Sequence, residues 1–288
     1  MTRTIAFGDY TLRNRRQVMK QITEALERPY LEIKGCQDIW VRDFMPFQRH
    51  DGNFVKYKYN PDYLQTSERD RKYRTDIDKV EIVENPGKEG AKSASIDTYL
   101  RSLGKKIITT DSVIDGGNMI KCLDKEGKPC VIMTQKVLFE NAKSHRETLT
   151  ELENVLGAEI ILIPWDKSEP YGHADGMVRS LGKGRLLLNC YREMDEDLHH
   201  QLLSALQERF DIAELAYGKA LHSDSWCHIN YLELDENILV PALHIPSDSH
   251  AKEQIEKFTD KTCHLIYMPE IVKDGGALNC ISWEIEQL

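Results

Sequence analysis

In the stretch YGHADGMVR, residues 171–179, an imidazole and a carboxylate stand two positions apart as His173 and Asp175. Residues two apart on a strand share a face, so the spacing predicts that both look into one pocket. Asp43 follows an arginine in IWVRDFMP, with Trp40 three positions before it. Asp115 and Asn118 flank the Gly-Gly pair of DGGNM, Asn230 ends CHIN, and Cys280 follows a second Gly-Gly pair in DGGALNCISW. Asp43, Asp175, His173 and Cys280 together offer two carboxylates, one His and one Cys, with no metal-ligand spacing. Carboxylates placed around a planar cation accept several N–H bonds from a guanidinium. A thiolate can attack the central carbon of that cation, and a nearby His can protonate the departing amine and then activate water. The positive charge of the substrate would itself favour the thiolate. The chemistry indicated is hydrolysis or transfer at a guanidinium carbon.

Each feature alone has a plainer reading. An acid after an arginine is usually a surface ion pair. Gly-Gly usually marks a turn, although it also lets backbone approach a ligand closely. Trp40 is a core side chain or a flat face for a planar cation. One cysteine among seven is by default a buried thiol.

The bulk numbers narrow the classes. The chain has 288 residues, 30% charged and 41% hydrophobic, with a formal net charge of −9. That composition is ordinary for a globular protein, and we read residues 1–288 as a single catalytic domain. Basic residues are mixed with acidic ones, as in SERDRKYRTDIDK at 67–79, which reads as a solvated face and not as a nucleic-acid patch. No apolar run is long enough to span a bilayer, and the first residues lack the apolar centre of a signal peptide. We expect a cytoplasmic protein whose partner is a small molecule, with neither nucleic acid nor membrane. The seven cysteines show no disulfide or paired zinc spacing. A local metal site from His222, Asp224, Cys227 and His228 in HSDSWCH is a poor match to zinc patterns.

The elements that must position these residues recur. Segments at 39–59, 115–133, 172–190 and 225–243 share one plan: a polar cluster, a half-apolar strand, a polar turn (HDGN, DKEGK, GKG, DEN) and a second apolar strand. A fifth, at 275–286, looks cut short. Helical patterns lie between them at 13–28, 95–104, 143–157, 195–210 and 249–258, followed by apolar strands such as EIILIPW and LIYMP. A unit of about fifty residues suits an array or propeller fold. Aligning the units superposes Asp43, Asn118, Asp175, Asn230 and Cys280, so packing around an axis would bring all five to one end. The alternative is an ordinary α/β domain of alternating elements.

W-V-R-D, D-G-G-N, G-H-A-D and G-G-A-L-N-C, in this order, resemble the guanidino-group-modifying enzymes of the pentein superfamily, nearest to the agmatine deiminases and bacterial-type peptidylarginine deiminases. The resemblance runs from about Ile39 to Trp283. It implies an α/β five-bladed propeller of pseudo-symmetric ββαβ repeats, no metal and no organic cofactor. It implies that Cys280 is the nucleophile of a covalent thiouronium intermediate, His173 the general acid and base, and Asp43 and Asp175 the carboxylates that grip the guanidinium. Trp40, Asp115, Asn118 and Asn230 fall at substrate-binding positions, and Arg179 resembles a structural arginine. Relatives often form homodimers.

Three departures stand out: Asn279 precedes the nucleophile where His is usual, Asp115 replaces Glu, and residues 56–73 lack the relatives' N-x-W-G-G-K-Y segment. Agmatine conversion to N-carbamoylputrescine is the leading expectation. Free or peptidyl arginine deimination, methylarginine hydrolysis and amidino transfer are variants of the same chemistry. A binder without turnover is the reading from another class.

Overall fold

The computed structural model describes residues 2–67 and 72–287, so Glu68–Arg71 of the mixed-charge run lie outside the described residues. In the described remainder of that run Lys72–Arg74 are exposed, whereas Thr75 is buried.

The expected helices form where their caps predict. In His145–Leu156 the Ser144 hydroxyl accepts the Glu147 N–H while the Glu147 carboxylate reaches back to the Ser144 N–H, and Gly157 ends the helix at φ 63°. Asp195 caps Glu196–Leu206 by accepting the Leu198 N–H, and Ser95 caps Ile96–Ser102. Arg16–Leu26 and Ser247–Thr259 complete the set of expected helices.

The described strands form five small sheets in a mixed α/β fold. Four share one topology, in which an antiparallel hairpin is extended by a third strand parallel to the hairpin's second. They comprise Phe47–Gln48, Phe54–Lys58 and Ile107–Val113; Ile120–Leu123, Pro129–Thr134 and Glu159–Ile163; Val178–Gly182, Arg185–Leu188 and Asp211–Glu214; and Leu232–Glu233, Asn237–Ala242 and Thr262–Tyr267. A parallel third strand needs a crossover, and the amphipathic helices supply it.

The fifth unit is completed by the other end of the chain. Ser282–Gln287 pairs antiparallel with Thr2–Gly8, from Gln287 opposite Thr2 to Ser282 opposite Phe7. Thr2–Gly8 in turn runs parallel to Leu31–Lys34, and the hairpin Glu81–Glu84 and Lys92–Ser95 extends that sheet outward. The unit that looks truncated in sequence therefore has the same hairpin-plus-parallel-strand plan.

The core is divided the same way. Val55 of the first sheet packs with Val131, Met133 and Leu152 of the second unit. Ile132 and Ile161 pack with Val178, Leu186 and Leu202 of the third, and Leu187 packs with Ile238, Val240 and Ile255 of the fourth. Leu232, Leu239 and Ile266 then meet Ile5, Phe7 and Ile22 of the fifth. Ile33 and Trp283 of the fifth pack against Phe54 of the first, so the succession of sheet-to-sheet cores closes on itself.

Candidate active site

One short turn precedes the first strand of each unit: the helical turn Val41–Phe44, the 3-10 turns Gly116–Asn118, Ala174–Gly176 and Ser223–Ile229, and a turn at 278–281. These turns carry Asp43, Asn118, Asp175, Asn230 and Cys280. His173 and Asp175 therefore lie on the shoulder of a 3-10 turn, and the strand expected there begins only at Val178. Asn230 likewise caps a 3-10 turn and does not belong to a strand. Short polar side chains bond to nearby backbone, and small residues permit close approach, which favours turns over a ladder at these positions.

Both side chains of the 173–175 pair face one cavity, though their bonding partners differ. His173 Nε2 lies 3.0 Å from Asp115 Oδ2, and its Nδ1 lies 3.8 Å from Asp43 Oδ1. Asp175 Oδ2 accepts from Asn279 Nδ2 at 2.7 Å and from Asn230 Nδ2 at 3.0 Å, with the Cys280 thiol at 3.5 Å. Asn230 Oδ1 accepts the backbone N–H groups of Asn279 and Cys280 at 3.1 and 3.3 Å, fixing the loop that bears the thiol. Arg42 N donates to Cys280 O at 3.1 Å and Gly117 N to Asp43 Oδ1 at 3.1 Å, so the turns are bonded to one another.

A cavity of about 450 Å³ opens above these groups, lined by His173, Asp175, Asn230 and Cys280 at its floor. Asp43 and Asp115 sit behind His173 and do not line it directly. Asn118 Oδ1 accepts the Thr134 N–H at 2.8 Å, and the Thr134 hydroxyl in turn donates to Gly172 O, so Asn118 braces the strand beneath the His173 turn. Trp40 stands behind the thiol: a Cβ at Gly276 would lie 2.4 Å from its ring and 3.1 Å from Cys280 Cβ.

The described structure adds residues that sequence reasoning did not single out. The rings of Tyr63 and Tyr171 lie 6.2 and 6.1 Å from the imidazole and 5.1 Å from each other. Tyr63 belongs to the 3-10 turn Asp62–Leu64, inside the 56–73 segment that departs from the relatives. Lys136 ties that turn down through Asp62 at 2.9 Å. Glu169 accepts the backbone N–H groups of Tyr171 and Gly172 at 2.7 and 2.5 Å and lines the cavity with Asp166 and Trp226. A half-buried acid holding two backbone N–H groups carries no sequence signature of its own.

Electrostatics follow from burial. Burial pushes the Cys280 thiol well up, and the Asp175 and Asp43 carboxylates push it further. Burial alone would disfavour a charged His173, but Asp43 and the Asp115 hydrogen bond outweigh it and raise its pKa to about 10. Burial lifts Asp43 to about 7 against the pull of His173. The free site therefore holds a neutral thiol beside a protonated imidazole, and a bound cation would favour the thiolate.

The HSDSWCH side chains diverge. His228 Nε2 pairs with Asp248 at 2.9 Å, Cys227 lies in the apolar core, and His222 Nδ1 accepts the Asp224 N–H. Among the described residues no group of His, Cys, Asp and Glu side chains is placed to hold a metal ion.

Sheets of this topology, joined by polar turns around a Cys, a His and carboxylates, define a guanidino-group-modifying class. Residues 6–285 match the model of the Porphyromonas-type peptidyl-arginine deiminases, and the chain belongs to that family. Its fold is similar to that of Campylobacter jejuni agmatine deiminase, with 14% identity, a TM-score of 0.69, and coverage of 99% of this chain and 93% of that one. It is similar to Enterococcus faecalis agmatine deiminase at 14% identity and a TM-score of 0.66, over 98% and 92% of the two chains. It is also similar to the N-terminal domain of a cyanobacterial arginine dihydrolase bound covalently to a reaction intermediate, at 13% identity and a TM-score of 0.61, over 99% and 98%. No curated protein matches by sequence.

Proposed function

We propose that this protein hydrolyses a guanidinium compound to a ureido product and ammonia, with agmatine, giving N-carbamoylputrescine, as the favoured substrate. The reading rests on one observation: Cys280, Asp175 and His173 share the floor of one cavity, with Asp43 against the imidazole. Asp175 holds the guanidinium from within the cavity and Asp43, against the imidazole, adds its negative charge, while the charge of the substrate displaces the thiol proton to solvent. Cys280 Sγ bonds to the guanidinium carbon, and a C–N bond breaks as His173 gives its proton to the departing nitrogen. His173 then takes a proton from water, the hydroxide adds to the thiouronium carbon, the thiolate leaves, and the new hydroxyl gives its proton to solvent to leave the neutral ureido product. Asp115 orients His173, and Asn230 orients both Asp175 and the thiol-bearing loop. Trp40 and Asn118 support the substrate's surroundings. No metal or organic cofactor is called for.

The cavity wall favours a decarboxylated substrate. Among the described residues its charged lining besides the floor is Asp166 and Glu169, with no Lys or Arg to pair with an α-carboxylate. The fold similarity to agmatine deiminases points the same way. We read the five sheets as a five-bladed propeller forming a single catalytic domain of a cytoplasmic enzyme, with homodimers as in relatives. No described helix is long and apolar enough to cross a membrane.

Ammonia release from agmatine, arginine, methylarginines and an arginine-containing peptide tests the reading. Release from agmatine above the others, abolished by Cys280→Ser, is the expected result. Release from none, with guanidinium compounds still bound, would replace it with the inactive binder, or with an amidinotransferase if an added amine acceptor restores turnover.

A further inference from the structure

A second cavity, also of about 450 Å³, lies on the other side of the turns and includes neither Cys280 nor His173 in its wall. Arg179 lines it from the strand Val178–Gly182. The proposed reaction has no use for this residue. Its guanidinium is stacked on the Tyr231 ring at 4.5 Å, with the residue only 9% exposed. Stacking occupies the face of the group and leaves its in-plane N–H fork uncommitted. Among the described residues Arg179 has neither a side-chain hydrogen bond nor an ion pair, yet its nitrogens are not sealed off as Arg15 Nε, Arg28 Nη2 and Arg49 Nε are.

The carboxylates in the same wall are already matched. Glu233 is held by Lys261 at 2.8 Å and by Arg3 at 3.1 Å. Glu284 is held by Arg42 at 2.8 Å and by Arg3 at 3.7 Å. Glu286 is held by Lys121 and by Arg3 at 3.6 Å. Every oxygen of the three acids thus faces a nearer cation, and Arg179 acts on Glu233 and Glu284 only at longer range. His50 meets the Cys130 carbonyl, and burial holds its pKa below the usual value, so it adds no further positive charge to the wall. With its nitrogens reached from the cavity, this donor fork is best completed by an acceptor that enters there. The donor geometry selects a group with two paired oxygens.

We propose that this second cavity is a binding site for a small oxyanion, a carboxylate or a phosphate, held bidentately by Arg179. The cavity is roomy enough for a molecule that bears such a group. The test is calorimetric titration of the full chain with sodium phosphate and with sodium succinate, against sodium chloride at matched ionic strength. Saturable heat with phosphate or succinate and none with chloride is expected, and the tighter of the two identifies the source of the oxyanion. Arg179→Gln should weaken that binding about thirtyfold or more. Should that variant not fold, Arg179→Lys keeps the charge, removes the fork, and should still weaken binding about tenfold. No saturable signal beyond chloride in the wild type, or undiminished affinity in either folded variant, overturns the proposal.

Discussion

His173 takes its character from neighbours that are distant in sequence. Asp43 and Asp115 hold its pKa near 10, and burial holds that of Asp43 near 7. The two groups are needed in opposite forms: Asp43 ionised to take up a guanidinium, His173 protonated to release ammonia. The profile of kcat/KM reports the free enzyme. It should therefore fall as pH drops through about 7 and Asp43 protonates, and fall again as pH rises through about 10 and His173 loses its proton. His173→Ala should lower kcat by about 10²–10⁴-fold and remove the alkaline limb. Binding of a guanidinium inhibitor should persist, because the carboxylates remain. Wild-type turnover in that variant would exclude His173 as the acid.

At the scale of elements, the site depends on how closely two turns approach. Gly117 lies where a Cβ would sit 2.6 Å from His173 Nδ1 and 2.8 Å from Asp43 Oδ1. Its N–H also donates to Asp43, so the turn Gly116–Asn118 both orients the acid and leaves room for the imidazole. Gly117→Ala must push His173 aside without disturbing a sheet. A misplacement of about 1 Å costs on the order of 10²-fold in rate. We expect kcat/KM for the preferred guanidinium substrate to fall by about that factor, with the far-ultraviolet circular dichroism unchanged. Unaltered kinetics would mean that the spacing between these turns does not control the reaction.

Across the whole molecule, the thiol is placed only once the chain ends meet. Cys280 lies two residues before the segment Ser282–Gln287, which pairs with Thr2–Gly8 and carries Glu284 into a half-buried ion network with Arg42 and Arg3. Although burial opposes the charged form, Arg42 and Arg3 hold the pKa of Glu284 near 2. A depressed carboxylate stabilises the fold above its unfolded pKa, and that stability is lost as pH falls through the folded value. Glu284→Gln should therefore cost about 3 kcal/mol at neutral pH, because it leaves Arg42 and Arg3 short of a partner. In denaturant titrations the gap to wild type should narrow below the usual glutamate range and close near pH 2. A pH-independent difference would assign the loss to packing instead of charge.

What the sequence alone determined is what a few neighbouring residues can encode. The helix starts at Ser144 and Asp195, the stop at Gly157, the polar hairpin turns and the recurrence of the unit follow from caps, turn chemistry and periodicity. The residue types at Asp43, His173, Asp175 and Cys280 were legible for the same reason, because chemistry names its own side chains. The spacing of His173 and Asp175 suggested a strand, since a period of two says nothing about whether a ladder partner is present. The tertiary structure made their positions a turn and sent the two side chains to different partners. It alone joined residues 282–287 to residues 2–8, packed Tyr63 and Tyr171 about the imidazole, and stacked Arg179 on Tyr231. Pairing across the length of the chain, burial, and the protonation that burial governs depend on every element at once, so no local stretch of sequence specifies them.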